Sequence, residues 1–332
     1  MMDIGERLTE ERLQDLEKRI AKLYGEQEQT MRMKAASYFG QFEKRDRDMQ
    51  KALREGKITE DYYKIWRVTQ IGRGERFVVL ADNFAQEMLH ANETAAKWIN
   101  EELNGVYIIN YNTEIYQIEQ IHGNIGLNLM SENTLRRMIM DDPDLLPKRK
   151  IDEGLDLDWN RRQFNDEIIS GIMQGETLKQ LTDRVAPLVD GNRKVAVRAA
   201  RTAMTNAQNG GRQRGYEETA KLGIEVHKRW IATKDGHTRE AHGLADGQVV
   251  RYDKPFTLDG YKLMFPGDSS APGYLVWNCR CTMRYAEKEG IEAEKRKMRV
   301  KDPKTGEQIV VDEMTYTEWL VMKKNEQQSD HQ

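Results

Sequence analysis

Cysteine is almost missing from this chain: Cys279 and Cys281 are the only two in 332 residues. Two thiols cannot build a disulfide framework, and a bridge between cysteines one residue apart is geometrically strained, so reduced thiols are expected. No run of about 18 or more apolar residues occurs, which excludes membrane insertion through a spanning helix. The opening Met1-Met2-Asp3-Ile4-Gly5-Glu6-Arg7 leads straight into charge without an apolar signal core, so synthesis and residence in cytoplasm-like surroundings are expected. A dominant charge sign is lacking too. The formal net charge is -3, which argues against a nucleic-acid binder acting through its whole surface and leaves only local patches. Core-forming residues are scarce, with 38% hydrophobic against 32% charged and a mean hydropathy of -0.81. Long exposed helices and partner-dependent surfaces suit that balance. The sequence holds no glycine-rich phosphate loop, no Ser-His-Asp pattern and no paired catalytic carboxylates in a defined motif.

What is present is mostly helical. Over residues 8–54, Leu13, Leu16, Ile20 and Leu23 follow a 3-4-3 spacing that draws one apolar stripe along a helix. Such a stripe suits self-packing, and a helix that docks on a partner carries the same pattern. Gly56 breaks it, and Thr59 is placed to cap a short helix bearing Tyr62, Tyr63, Ile65 and Trp66. After Gly72 and Gly74, residues 75–103 predict a long helix ending at Gly105, while residues 106–118 suit a strand or a helix. Pro143, Pro147 and the cluster Lys148-Arg149-Lys150 mark a boundary. Three helices are expected beyond it, at 159–173, 178–188 and 193–222, with stops at Gly175 and Gly223.

The texture then changes. Ile224, Val226, Lys228 and Trp230 alternate with Glu225, His227, Arg229 and Ile231, a strand with an imperfect apolar face. Asp246-Gly247 predicts a turn into a second strand at Gln248-Val249-Val250, and residues 274–285 predict a third. Residues 301–306 suggest an exposed hairpin, and 314–324 a terminal helix anchored by Tyr316, Trp319 and Leu320. The expected fold class is α+β. A mainly α-helical arm at 1–150 precedes a domain at 151–290, where a small antiparallel sheet packs on helices, and a hairpin-and-helix tail follows at 291–332.

The most informative stretch starts at Arg198-Ala-Ala-Arg201-Thr202-Ala203 and runs on through Asn206, Ala207 and Gly211. Trp230, Asp235-Gly-His237-Thr238-Arg239, His242, Asp246-Gly247-Gln248, Phe265-Pro266-Gly-Asp268 and Asn278-Cys279-Arg280-Cys281 follow in order. Over residues 155–286 this pattern resembles the phage Mu protein F-like head-morphogenesis family of tailed phages. Its most specific parts are Asn-Cys-Arg-Cys and Thr-Arg-x-x-His. The resemblance implies a minor head protein, made in the host bacterial cytoplasm and carried in few copies in the virion. Portal protein and capsid components would be its partners, contacted through the 1–150 arm, and packaged double-stranded DNA a further one. It implies structural roles for the motif residues and assigns no reaction, so no enzyme is expected.

The same residues admit three chemical readings. In an expected strand, Cys279 and Cys281 point both thiols to one face with Cα atoms roughly 6.5 Å apart. Structural zinc takes four tetrahedral S or N ligands, which His237 and His242 would complete if the 235–247 loop folds over the strand end. The thiols read equally as small buried side chains, with His242 a hydrogen-bonded structural histidine. A Cys–His dyad activated by Arg239 or Arg280 would instead make a metal- or thiol-dependent hydrolase or nuclease delivered with the genome. Neither cysteine has a glycine-flanked nucleophile motif around it, and both arginines read more simply as partners of Asp235, Asp246 or Asp268. Zinc is thus the one cofactor the residues suggest, and none is required.

Between Asp190 and Arg229, nine Lys or Arg stand against four acids, a local balance of +5. On a helix Lys194, Arg198, Arg201 and Arg212 fall near one side, a stripe able to face DNA phosphates. A solvated helix face or a protein contact would look the same, and no base-reading motif accompanies it.

Overall fold

A computed structural model of the chain describes residues 2–72, 75–235, 237–286, 298–301, 308–311 and 316–329. Six helices come first: α1 (Ile4–Arg54), α2 (Glu60–Gly72), α3 (Glu75–His122), α4 (Glu132–Asp141), α5 (Glu153–Met173) and α6 (Leu178–Lys221). No helix among the described residues is long and apolar enough to cross a membrane. The chain divides into two compact units, one of residues 16–98 and 150–197, the other of 1–15, 99–149 and 198–332. The chain passes between them at 15/16, 98/99, 149/150 and 197/198.

The first unit is all helix. Leu16, Ile20, Leu23 and Met31 of α1 are buried, as are Leu80, Phe84 and Met88 of α3, Phe164, Ile168 and Ile172 of α5, and Leu181, Val185 and Val189 of α6. These three- and four-residue spacings give each helix one apolar face, and the faces close on each other. Phe84 and Phe164 meet edge to face with centroids 5.5 Å apart. Leu13, which falls in the other unit, is buried there. The stripe is therefore consumed by self-packing, and an exposed arm that docks through it is corrected. A polar network crosses the same core. Tyr24 donates to Asn92 Oδ1 (2.5 Å), Asn92 Nδ2 to Asp156 and to Asn192 Oδ1 (3.0 Å), and Asn192 Nδ2 to Asn160 Oδ1 (3.0 Å). One buried cluster thus ties α1, α3, α5 and α6 in register.

Two expected helix ends are absent. α3 runs through Gly105 to His122, because Val106, Tyr107, Tyr111, Ile115 and Ile118 recur at helical spacing and are buried. α6 runs through Pro187 and Gly191. Pro187 forfeits one backbone hydrogen bond, but Val185 and Val189 on either side are buried, and packing overrides the local break.

The second unit holds the sheet. Its elements are β1 (His227–Ile231), α7 (Glu240–Ala245), β2 (Val249–Arg251), β3 (Phe256–Leu258), β4 (Tyr261–Leu263), α8 (Gly273–Val276), β5 (Thr282–Ala286), β6 (Met298–Lys301), β7 (Gln308–Val311) and α9 (Tyr316–Ser329). β1 is central, antiparallel to β2 on one side and β5 on the other, with Trp230 opposite Met283. The α+β class is as expected. The third strand is shorter than expected: residues 273–276 form α8, a loop follows, and only 282–286 pair. β3 and β4 form an unexpected hairpin around Asp259-Gly260, both at positive φ. The expected tail hairpin is β6–β7, its turn at 302–307 lying outside the described residues. The tail helix is α9, whose buried Trp319 donates to Glu119 Oε2 (2.6 Å). Trp230, Tyr216, Val226, Phe256, Leu275 and Met283 form the core between sheet, hairpin and helices, and both cysteines belong to it.

Helices α3 and α6 touch closely within this unit. A Cβ on Gly211 would lie 2.3 Å from the Tyr107 carbonyl oxygen, so only glycine permits the approach. The next residue, Arg212, is fully buried, donating to the Met283 carbonyl (2.8 Å) and paired with Asp3 (2.7 Å) and Glu114 (3.5 Å). Its place in the DNA-facing stripe is corrected: it balances buried carboxylates instead.

Candidate functional site

The Cys-x-Cys segment lies in the loop before β5, and α6 supplies the scaffold that shapes it. Thr202 Oγ1 accepts from the Asn278 amide (2.8 Å), and Thr205 Oγ1 donates to the Cys279 carbonyl (2.7 Å). Asn209 Nδ2 donates to the carbonyls of Pro266 (3.0 Å) and Cys281 (3.2 Å), while its Oδ1 accepts from the Met283 amide (3.2 Å). Asn206 Nδ2 reaches the Gly267 carbonyl (2.9 Å). These residues sit three and four apart, so one helix face satisfies the polar backbone of two irregular loops. Asn278 takes a left-handed conformation (φ 56°), the turn that brings both thiols inward.

The opposite wall is the 233–247 segment. Asp235 forms a two-pronged ion pair with Arg280 (2.7 Å for one arm), and that guanidinium holds its carboxyl well below the usual carboxylate range. Thr233 Oγ1 donates to the Arg280 carbonyl (2.7 Å), and Thr238 Oγ1 to the Thr233 carbonyl. Arg239 donates to the Trp277 carbonyl. Trp230 and Gly247 share a backbone bond (2.9 Å), and the Trp230 ring packs edge to face on His242 (6.0 Å). Arg201 is half-buried. The motif residues thus fold two loops against one strand and one helix.

What the loops enclose is a His–Cys–Cys cluster. His242 and Cys279 are 2% exposed and Cys281 4%. His242 Nδ1 lies 3.3 Å from Cys281 Sγ and 3.6 Å from Cys279 Sγ, and all three donor atoms lie within 4.8 Å of one another. A hydrogen bond from Cys279 pulls the Cys281 thiol down to about 5, and His242 adds to the fall. That bond and burial push Cys279 up. His237 is exposed and outside the cluster, its amide bound to Asp235 Oδ1 (2.9 Å). The thiols converge as expected, but from a loop rather than a strand.

Cys281 also borders a cavity of about 690 Å³ within this unit, lined by Glu6, Arg201, Gln208, Thr233 and Arg284 among others. Of the other basic residues, Lys194 is exposed and pairs with Asp190 (2.8 Å), and Arg198 is exposed over the Trp277 ring (5.4 Å). Thr205 and Asn209, the chief organisers of the cysteine loop, were not anticipated. Their signal was a run of short polar residues at helical spacing beside alanines, a pattern that means buried only once the helix's partners are known.

The segment that builds this arrangement, a long helix whose Thr and Asn side chains hold an Asn-Cys-Arg-Cys loop against a small antiparallel sheet, has relatives in sequence. Residues 162–284 match the profile of the phage Mu protein F like proteins. Over a longer span it is similar to minor head protein GP7 of Bacillus phage SPP1, 28% identical over 280 residues that cover 81% of this chain and 86% of that protein. It is also similar to an NAD(+)–arginine ADP-ribosyltransferase, EFV, of Enterococcus faecalis, 35% identical over 136 residues. That match covers 41% of this chain and only 28% of the enzyme. No solved structure matches the chain.

Proposed function

We propose that this chain is a minor head protein of a tailed phage, acting in head assembly at or near the portal vertex and retained in the virion. The observation that carries this reading is the extent of the likeness to the SPP1 minor head protein, which spans most of both chains. Portal protein and capsid components are its partners. Packaged DNA is a further one, reached through exposed Lys194 and Arg198. The role is structural rather than enzymatic: the motif residues are spent on holding loops, as Asp235 is on Arg280 and Arg239 on Trp277.

A thiol- or metal-dependent hydrolase or nuclease has the lowered Cys281 thiol in its favour. Against it, Cys281 is buried beside a histidine whose Nε2 faces Arg239 (3.4 Å), a cation, rather than an orienting carboxylate. The ADP-ribosyltransferase likeness covers 28% of that enzyme and does not by itself carry its reaction to this chain.

The test is complementation of a phage deleted for this gene, scoring head incorporation and plaque yield separately. The intact chain is expected in purified virions, and His242→Asn or Cys281→Ser variants that still fold are expected to restore both readouts. Absence of the chain from virions sinks the head reading. Folded site variants that enter heads normally yet give no infectious phage overturn the structural role in favour of chemistry.

A further inference from the structure

We propose that His242, Cys279 and Cys281 bind one zinc ion through Nδ1 and the two thiolate sulfurs, with a water as fourth ligand. The distances carry it. Zinc sits ~2.0–2.1 Å from imidazole nitrogen and ~2.3 Å from thiolate sulfur, and tetrahedral angles then fix each N···S edge near ~3.6 Å. The two N···S separations here are 3.3 and 3.6 Å. Both sulfurs thus address one nitrogen at the edge lengths of a coordination tetrahedron.

The surroundings suit a metal as well. All three donors are buried, which favours soft ligands held out of water, and they come from separate pieces of chain: α7 for the histidine, the α6-braced loop for the cysteines. Two thiolates balance the charge of one Zn²⁺, and binding releases the thiol protons. Arg239 Nη1 lies 3.4 Å from Nε2; a guanidinium only donates, so Nδ1 ligation, which puts the ring N–H on Nε2, requires that arm to turn aside while the other keeps the Trp277 carbonyl. The cavity that Cys281 borders gives water a route to the fourth corner. This site has three protein ligands where the sequence suggested four, because His237 faces solvent.

The full-length reduced protein is the material for the test. Metal analysis of protein purified without chelator or affinity tag is expected to give close to one zinc per chain. Replacing zinc with cobalt(II) is expected to give intense thiolate-to-metal absorption and the visible bands of a tetrahedral ion. His242→Cys, which keeps a ligand, is expected to retain the metal, whereas His242→Ala is expected to lower its affinity by tenfold or more. Circular dichroism on each variant separates a lost site from a lost fold. If the folded wild-type chain holds no zinc and shows no cobalt thiolate band at stoichiometric metal, the cluster is a hydrogen-bonded triad and the proposal fails.

Discussion

Single residues carry opposing pH dependences. Burial lowers Lys228 to about 7 from an ordinary 10.5, against opposing acids, while its amine donates to Gln213 Oε1 (2.9 Å) and the Met264 carbonyl (2.7 Å). Between those values the unfolded lysine binds a proton that the folded one has shed, so folding gains stability as pH rises from 7 toward 10. Burial raises Glu114 to about 7 from 4.5, in spite of Arg212. There the folded state holds the extra proton, and stability falls as pH rises from 4.5 through 7. Denaturant unfolding of Lys228→Met and Glu114→Gln beside the wild type should show these as slopes of opposite sign. The wild type gains on the lysine variant above pH 7, and loses ground to the glutamate variant between about pH 4.5 and 7. Flat differences would show that neither charge state changes on folding. In the helical unit, Asn92→Ala removes the acceptor of Tyr24 and the donor to Asp156 and Asn192. Losing these hydrogen bonds together from the core of the helical unit is expected to cost about 2–3 kcal/mol. A loss under about 0.5 kcal/mol in urea titration would mean that the network is wetter than its geometry implies.

At the scale of elements, two glycines of α6 should behave oppositely. A Cβ at Gly211 collides with the backbone of α3, and Gly211→Ala is expected to destabilise by about 1–3 kcal/mol through forced separation of the helices. A Cβ at Gly191 meets nothing within 4 Å, so Gly191→Ala should stabilise by about 0.5–1 kcal/mol through helix propensity alone. Thermal melts of the pair decide it, and a shift in the same direction for both contradicts the close α3–α6 approach. The same contrast explains what was legible in the sequence. Period-three and period-two patterns located the helices, the central strand with Lys228 on its inner face, and the tail helix with Trp319. The helix end expected at Gly105 and the break expected between 188 and 193 do not occur, because the local cost of continuing is small beside the burial on either side. Asp259-Gly260 carried a plain hairpin signal, but three-residue strands are too short to show alternation. Arg212 looked like part of a phosphate-facing stripe because charge patterning on one helix says nothing of the carboxylates that meet it. The His–Cys–Cys cluster was legible as residues and not as geometry. Which histidine joins two thiols depends on how a loop of irregular backbone is braced, here by Thr205 and Asn209.

For the whole molecule, the decisive fact is that neither compact unit is a continuous stretch of chain. A fragment of residues 151–290 would lose Tyr107, Tyr111, Ile115 and Ile118 from its core and would strand Arg212 without Asp3 and Glu114. An uncompensated buried charge of that kind costs about 3–5 kcal/mol. Such a fragment is expected to be insoluble or to lack dispersed amide NMR signals, and a cooperative melt matching that of the full chain would contradict the division. A further consequence concerns time. Glu6 pairs with Arg284, 278 positions later, and Asp3 with Arg212, 209 positions later. At about 5–20 residues per second, roughly 14–56 s pass on the ribosome before Glu6 can meet its partner. The helical unit can close once Val197 has emerged, whereas the sheet-bearing unit waits with its first acids unmatched and half of α3 uncovered. Aggregation and proteolysis of the nascent protein are therefore governed by the pace of translation past residue 197, and slowing the ribosome there lengthens the period of greatest risk without altering the final stability at all.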